Sequence, residues 1–278
     1  MSASQTKPPE QVREIVRRRY AEIARDGSIT ATSGCCGPAP QQVAQRIGYS
    51  SEDTTAVPEG ANLGLGCGAP LAPAALREGE TVLDLGSGAG FDAFLAARAV
   101  GPGGRVIGVD MTDEMLAKAS VNARQAGIGN VEFRKGYIEA LPVDDASIDV
   151  VLSNCVINLT PDKEAVYREV ARVLRAGGRM VISDVVLDEP LPEAIAGSVA
   201  ALTGCVAGAE LRDHYLAAIA GAGLTDIEIV SDKSFGTVAL TMVPETMLRE
   251  AQAAGIDVQH VAETVRSLTI KARKPQHA

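Results

Sequence analysis

The 278-residue chain has no tryptophan, only 4 Phe and 5 Tyr, and only 3 His. So few aromatics leave no stacking platform for single-stranded nucleic acid. With 26 Lys and Arg against 35 Asp and Glu, the net charge of −9 also leaves no basic face for a phosphate backbone. Uncharged stretches such as 194–209 are built largely of Gly, Ala, Ser and Thr, and fall short of the ~20 apolar residues of a membrane helix. Residues 1–10 are polar, with two prolines and no apolar centre, unlike a secretory signal, so the expected compartment is the reducing cytoplasm. No two of the five cysteines form C-x-x-C and none has a histidine nearby in sequence, which removes the spacing of a zinc ribbon or finger.

The length suffices for a sizeable core, in two domains or in one large α/β domain with an extension. After Pro8 and Pro9, Val12, Ile15, Val16 and Ile23 recur at helical spacing and predict an amphipathic helix over 10–25, stopped by Gly27. Segment 26–73 holds Cys35, Cys36 and Cys67 and exceeds the ~12–15 residues of an idle connector, so it is expected to fold over something. From Thr81 short apolar runs alternate with helical patterns. Strands are expected at Thr81–Leu85, Arg105–Asp110, Val131–Lys135, Ile148–Asn154 and 179–185, and helices at Phe91–Val100, Asp113–Gln125 and 163–174, closed by Gly101, Gly127 and Gly177. Such alternation builds a mostly parallel sheet with a ligand crevice at the carboxyl ends of its strands. Beyond it, helices are expected at 210–221, 245–254 and 258–266, and strands at 226–231 and 268–272, the last as an antiparallel edge. The expected division is a helix and cysteine-bearing cap over 1–73, a core over 74–187, and a part over 188–278 that completes the sheet.

The first strand runs into Asp84-Leu85-Gly86-Ser87-Gly88-Ala89-Gly90-Phe91. Its glycines let the backbone turn tightly and pass close to a ligand at a helix start. Phe91 stands where a dinucleotide fingerprint wants a third glycine, and Asp84 is an acid at the strand end, which favours a cationic sulfonium ligand over a pyrophosphate. Asp110 ends the second strand twenty residues past Gly90, where one carboxylate can accept both hydroxyls of a ribose. This set resembles class I S-adenosylmethionine-dependent methyltransferases, with their Rossmann-like sheet. The resemblance implies that Asp84, Gly86, Ser87, Gly88 and Gly90 line the amino acid moiety, that Asp110 binds the ribose, and that Met111, Ile138 and Glu139 border the adenine, with Asn154 close by.

Cys155 follows the fourth strand, at the crevice where a methyl acceptor must sit, and Cys35, Cys36 and Cys67 have glycine neighbours that keep their backbone approachable. The segments Asn62-Leu63-Gly64-Leu65-Gly66-Cys67-Gly68 and Ser153-Asn154-Cys155-Val156-Ile157-Asn158-Leu159, with the Cys35-Cys36-Gly37 pair and Cys205, resemble arsenite methyltransferases. The resemblance implies that Cys155 and Cys205 clamp trivalent arsenic, with Cys67 and one of Cys35 or Cys36 completing the thiol set; Cys36 is favoured.

Trivalent arsenic is soft, binds thiolates in a pyramid and keeps a lone pair on the open side. That lone pair carries no proton, so attack on a methyl sulfonium needs placement and not a general base, consistent with a chain so poor in histidine. Transfer oxidises arsenic to the pentavalent state, and thiols return it to the trivalent state by forming a disulfide, which implies dependence on glutathione or thioredoxin. The expected partners are arsenite and methylated arsenicals as thiol adducts, and the expected role is arsenic detoxification. Two other readings are a methyltransferase of a small organic molecule whose cysteines are structural, and a non-catalytic protein that binds soft metalloids.

Overall fold

The computed structural model of the protein describes residues 8–26, 39–196, 206, 208–236, 240 and 245–276. Gly27, Cys35, Cys36 and Cys205 lie outside the described residues. The chain begins with α1 (Pro9–Asp26), α2 (Pro40–Ile47), α3 (Ser51–Thr55) and α4 (Leu71–Ala74). There follow β1 (Thr81–Leu85), α5 (Phe91–Val100), β2 (Arg105–Asp110), α6 (Asp113–Gln125), β3 (Val131–Lys135) and β4 (Ile148–Asn154). The remainder comprises α7 (Lys163–Val173), β5 (Leu174–Leu187), α8 (Glu193–Ala196), α9 (Arg212–Gly221), β6 (Thr225–Ser234), α10 (Glu245–Ala253), α11 (Val258–Thr264) and β7 (Val265–Arg273).

The strands form one seven-stranded sheet in the order β3-β2-β1-β4-β5-β7-β6. β1 to β5 pair in parallel and β7 runs antiparallel to both of its neighbours. The α/β class is the expected one. The antiparallel strand near 268–272 lies one place inside the edge, which is taken by β6. The two strands differ in burial as their places do: β7 is buried on both faces along Ser267, Leu268, Thr269 and Ile270, whereas β6 is exposed along most of its length. Gly177 does not close α7, which ends at Val173; it lies inside β5, whose amino end extends to Leu174, paired with Ile148 of β4.

Alternation along β1 sends Leu83 and Leu85 to one face and Val82 to the other. The first face packs on Val166, Tyr167 and Val170 of α7 and on Tyr215 and Ile219 of α9, and the second on Ala93, Ala96, Ala97 and Val100 of α5. Strand order reverses between β1 and β4, so their carboxyl ends diverge and leave a crevice. The N-terminal helix closes over it: Val16, Ile23 and Ala24 of α1 are buried and Arg13 reaches Glu139 (Nη2 to Oε1, 3.1 Å). Among the described residues, no helix is long and apolar enough to cross a membrane.

Candidate active site

The crevice is a cleft walled mostly by the loops that follow the strands. It is lined by Asp84, Gly86, Ser87 and Gly88 of the glycine turn, Asp110 and Met111 after β2, Ile138 and Glu139 after β3, and Asn154 and Cys155 after β4. Arg13, Val16 and Tyr20 of α1 complete the wall. Of the expected cofactor residues, Gly90 does not line the cleft; it caps α5 with φ +96°. Gly86 has φ +66°, and a Cβ there would lie 2.4 Å from Val156, so the turn both demands a left-handed residue and lacks room for a side chain.

The electrostatics of the cleft are acidic and incompletely satisfied. Asp84 is buried, its Oδ2 without a hydrogen-bond partner among the described residues, and Ser87 Oγ is in the same condition. Burial, then the charges of Asp92 and Asp110, push the Asp84 carboxyl well above the ordinary carboxylate range. Asp110 accepts from Gly88 N (3.0 Å) and Thr112 N (2.8 Å), and burial raises it despite those bonds. Orphaned polar atoms beside unneutralised carboxyls fit a ligand that brings a cation and hydroxyl donors. A pyrophosphate would add negative charge where Asp84, Asp92 and Asp110 already stand. S-adenosylmethionine, with its ammonium, sulfonium and ribose diol, meets these demands.

Cys155 lines the cleft, and Cys67 comes together with it. Their Sγ atoms and a carboxylate oxygen of Asp184 all lie within 4.8 Å of one another, and all three residues are buried. Cys155 sits at φ +61°, a conformation rare for a residue with a side chain, and is held there by Cys155 N donating to Ser183 O at 2.8 Å. Cys67 Sγ donates to the same carbonyl at 3.5 Å. A Cβ on Gly68 would lie 2.6 Å from Ser183 Cβ, so glycine at that position lets the Cys67 loop rest directly on β5.

Three residues of this site were not expected from the sequence. Asn154, read as a cofactor neighbour, also holds the Cys67 loop: its Oδ1 accepts from Cys67 N (3.1 Å) and its Nδ2 donates to Gly68 O (2.9 Å). That amide is fixed in turn by Tyr49 Oη (2.9 Å) and Asp92 Oδ2 (3.2 Å), while Tyr49 donates to Asp92 Oδ1 at 2.5 Å. Burial pushes Tyr49 well up and Asp92 up. Asp184 accepts from Asn158 Nδ2 and Val185 N at Oδ1 (2.8 and 2.9 Å) and from Tyr215 Oη at Oδ2 (2.9 Å). Burial pushes its carboxyl up to about 7. Asp184 did carry a signal, as an acid inside the apolar run Met180–Leu187; Tyr49 and Asp92, 43 residues apart, carried none.

Residues 76–228 match the family model of a methyltransferase domain. The chain is 46% identical to the arsenite methyltransferase of Halobacterium salinarum, over 96% of this chain and 68% of that protein. It is 38% identical to the arsenite methyltransferase of Aquipseudomonas alcaligenes, over 79% of this chain and 64% of that protein. The chain thus spans about two-thirds of the length of these curated relatives. The crystal structure of an arsenic(III) S-adenosylmethionine methyltransferase from Chlamydomonas reinhardtii is similar at 33% identity and a TM-score of 0.61, covering 86% of this chain and 74% of that one. Identity at this level over nearly the whole chain, on the sheet and glycine turn described above, means that the protein belongs to the arsenite methyltransferase family of S-adenosylmethionine-dependent methyltransferases.

Proposed function

We propose that the protein methylates trivalent arsenic, arsenite first and methylarsenite after it, as an arsenic-detoxifying enzyme of the reducing cytoplasm. The observation that carries this reading is the convergence of Cys67 and Cys155 beside an acidic, glycine-lined cleft. The methyl group comes from S-adenosylmethionine, whose sulfonium makes it electrophilic. Asp84 holds the ammonium with its unpartnered oxygen, Ser87 and the backbone of Gly86 and Gly88 follow the amino acid moiety, and Gly90 shapes the turn. Asp110, oriented by Gly88 N and Thr112 N, takes the ribose hydroxyls, and Met111, Ile138 and Glu139 border the adenine.

Cys155 and Cys205 hold arsenic, with Cys67 as a third thiolate, so that its lone pair faces the cleft. Thiolates select this soft centre over harder oxyanion chemistry. Because the lone pair is unprotonated, the chain's task is placement and exclusion of water, and α1 over the cleft serves the second. Methyl transfer takes two electrons from arsenic; Cys36 and Cys67 return them, forming a disulfide that glutathione or thioredoxin reduces. In this arrangement 1–73 caps the core of 74–187, and 188–278 supplies the last strands and Cys205.

The test is to incubate the protein with arsenite, glutathione and methyl-labelled S-adenosylmethionine and separate the arsenic species by chromatography with element-specific detection. Labelled methylated arsenic is the expected result. Arsenite retained without product would reduce the protein to a binder, and no retention would turn attention to organic acceptors.

A further inference from the structure

Asp184 has no part in the chemistry proposed above, yet its carboxylate lies within 4.8 Å of both thiol sulfurs. Three hydrogen bonds, from Asn158 Nδ2, Val185 N and Tyr215 Oη, fix it in place. A carboxylate offers about four lone-pair positions, so one stays open. The neighbouring cation Lys163 pairs instead with Glu210 at 3.7 Å. The cluster therefore combines two soft sulfur donors and one oriented, buried oxygen donor, a mixture that suits a borderline cation better than an arsenic centre already satisfied by sulfur.

We infer that Cys67, Cys155 and Asp184 form a site for a divalent d10 cation, Zn(II) in the cell and Cd(II) as its probe, with a fourth position open to water. Zinc takes sulfur at about 2.3 Å and carboxylate oxygen at about 2.0–2.2 Å, so donors already this close converge on one ion with small side-chain movements. Binding forms two metal–sulfur bonds and one metal–oxygen bond to the Asp184 carboxylate, releases water from the aqueous cation and breaks two S–H bonds, whose protons pass to solvent. No electron moves. The occupied site withholds two thiols from arsenic, making the cation a competitor of the arsenical and not of the methyl donor. This competition rests on the methylation reading; the metal site itself does not.

The test uses the C35S/C36S/C205S variant of the full chain, whose two remaining cysteines are Cys67 and Cys155. Cadmium chloride is titrated into the reduced protein, following the ultraviolet thiolate-to-cadmium charge-transfer band, and the coordination shell is read by X-ray absorption. One Cd(II) per chain is expected, with two Cd–S contacts and lighter oxygen donors. Asp184→Asn in that background should weaken binding by roughly tenfold to a hundredfold, with circular dichroism unchanged. Absence of saturable binding, a shell of four sulfurs bridging two chains, or unaltered affinity in a folded Asp184→Asn protein would overturn the site. Should that variant not fold, the sulfur and oxygen count of its parent decides. Since no arsenic enters the assay, failure to methylate leaves this result standing on its own.

Discussion

At the amino ends of the strands, Arg179 donates to both carboxylate oxygens of Glu80 (2.7 and 2.8 Å) and to the carbonyls of Ala74 and Ala75 (2.8 and 3.0 Å). At the carboxyl ends, Asp84, Ser87, Ser153 and Asn158 each keep a buried side-chain atom without a partner among the described residues, and Cys155 adopts a positive φ. One sheet thus has an end where every nitrogen of a buried guanidinium has a partner and an end where polar groups wait for something else. A polar group buried without a partner destabilises the fold by about 1–3 kcal/mol. Its survival at four positions on one side of the molecule marks the side where binding, and not folding, sets the residue types.

The comparison breaks first at Cys155. Cys155→Ser should lower arsenic methylation by about 10⁵-fold, the low end of what holding two reactants in place is worth, with urea denaturation changed little; product formation near the parent rate would mean that Cys155 holds no substrate. At the other end, Arg179→Met takes the guanidinium from half-buried Glu80, which keeps its bond from Arg77 N, and should remove about 1.5–3 kcal/mol of stability in urea, while turnover per folded molecule stays the same. A loss of turnover without a loss of stability would reverse the roles of the two ends.

Asp84→Asn sharpens the contrast. It should weaken S-adenosylmethionine binding by about 1.5–3 kcal/mol, the value of a hydrogen bond to a charged group, measured by calorimetry. In the absence of ligand the same variant should be the more stable protein at neutral pH. The native carboxyl titrates above its unfolded counterpart, which lies near ~3.9. The folded state therefore keeps a proton that the unfolded chain has already lost, and the parent's stability is full below the unfolded value and falls as pH rises through the native one. Asparagine has no such slope, so its advantage should grow with pH across that window; an advantage that shrank would contradict the burial argument. The smallest effect is expected at Tyr49→Phe, which removes the donor to Asp92 and an acceptor for Asn154. About 1 kcal/mol of stability and a less than tenfold rise in the KM for arsenite are expected, with cofactor affinity unchanged.

The difference between the ends also explains what the sequence disclosed. β1 to β4 begin and end where predicted; for β1, β2 and β4 this is because a strand buried on both faces must be a short continuous apolar run. β5 and β7 are longer than predicted because their limits come from their partners: Leu174 of β5 pairs with Ile148 of β4, and at the other ends Leu187 pairs with Val265 and Arg179 with Arg273 of β7, so residues without strand character are drawn into the ladder. For the same reason the helix expected over 258–266 stops at Thr264, where Val265 enters β7. Within the candidate site, the glycine turn and Asp110 are legible because backbone geometry dictates residue type locally, while Cys67 stands out through the segment that resembles arsenite methyltransferases. Tyr49, Asp92 and the second role of Asn154 are not legible, since their meaning arises only when distant segments meet.

The Cys67 loop gives that last point a bearing on how the protein is made. Its amide is held by Asn154, and its carbonyl accepts from Ser267 Oγ at 2.6 Å, a partner 200 residues further along the chain. Closing a loop of that length is entropically slow and follows local folding. A nascent chain has its glycine turn and first strands well before Ser267 has been synthesised. The cofactor end of the cleft is therefore available earlier than the thiol end, and a half-made molecule lacks the anchor that brings Cys67 into register. The newly made protein secures Cys67 beside Cys155 only when β7 pairs, and a chain that stalls before then carries both cysteines without the anchor that joins them.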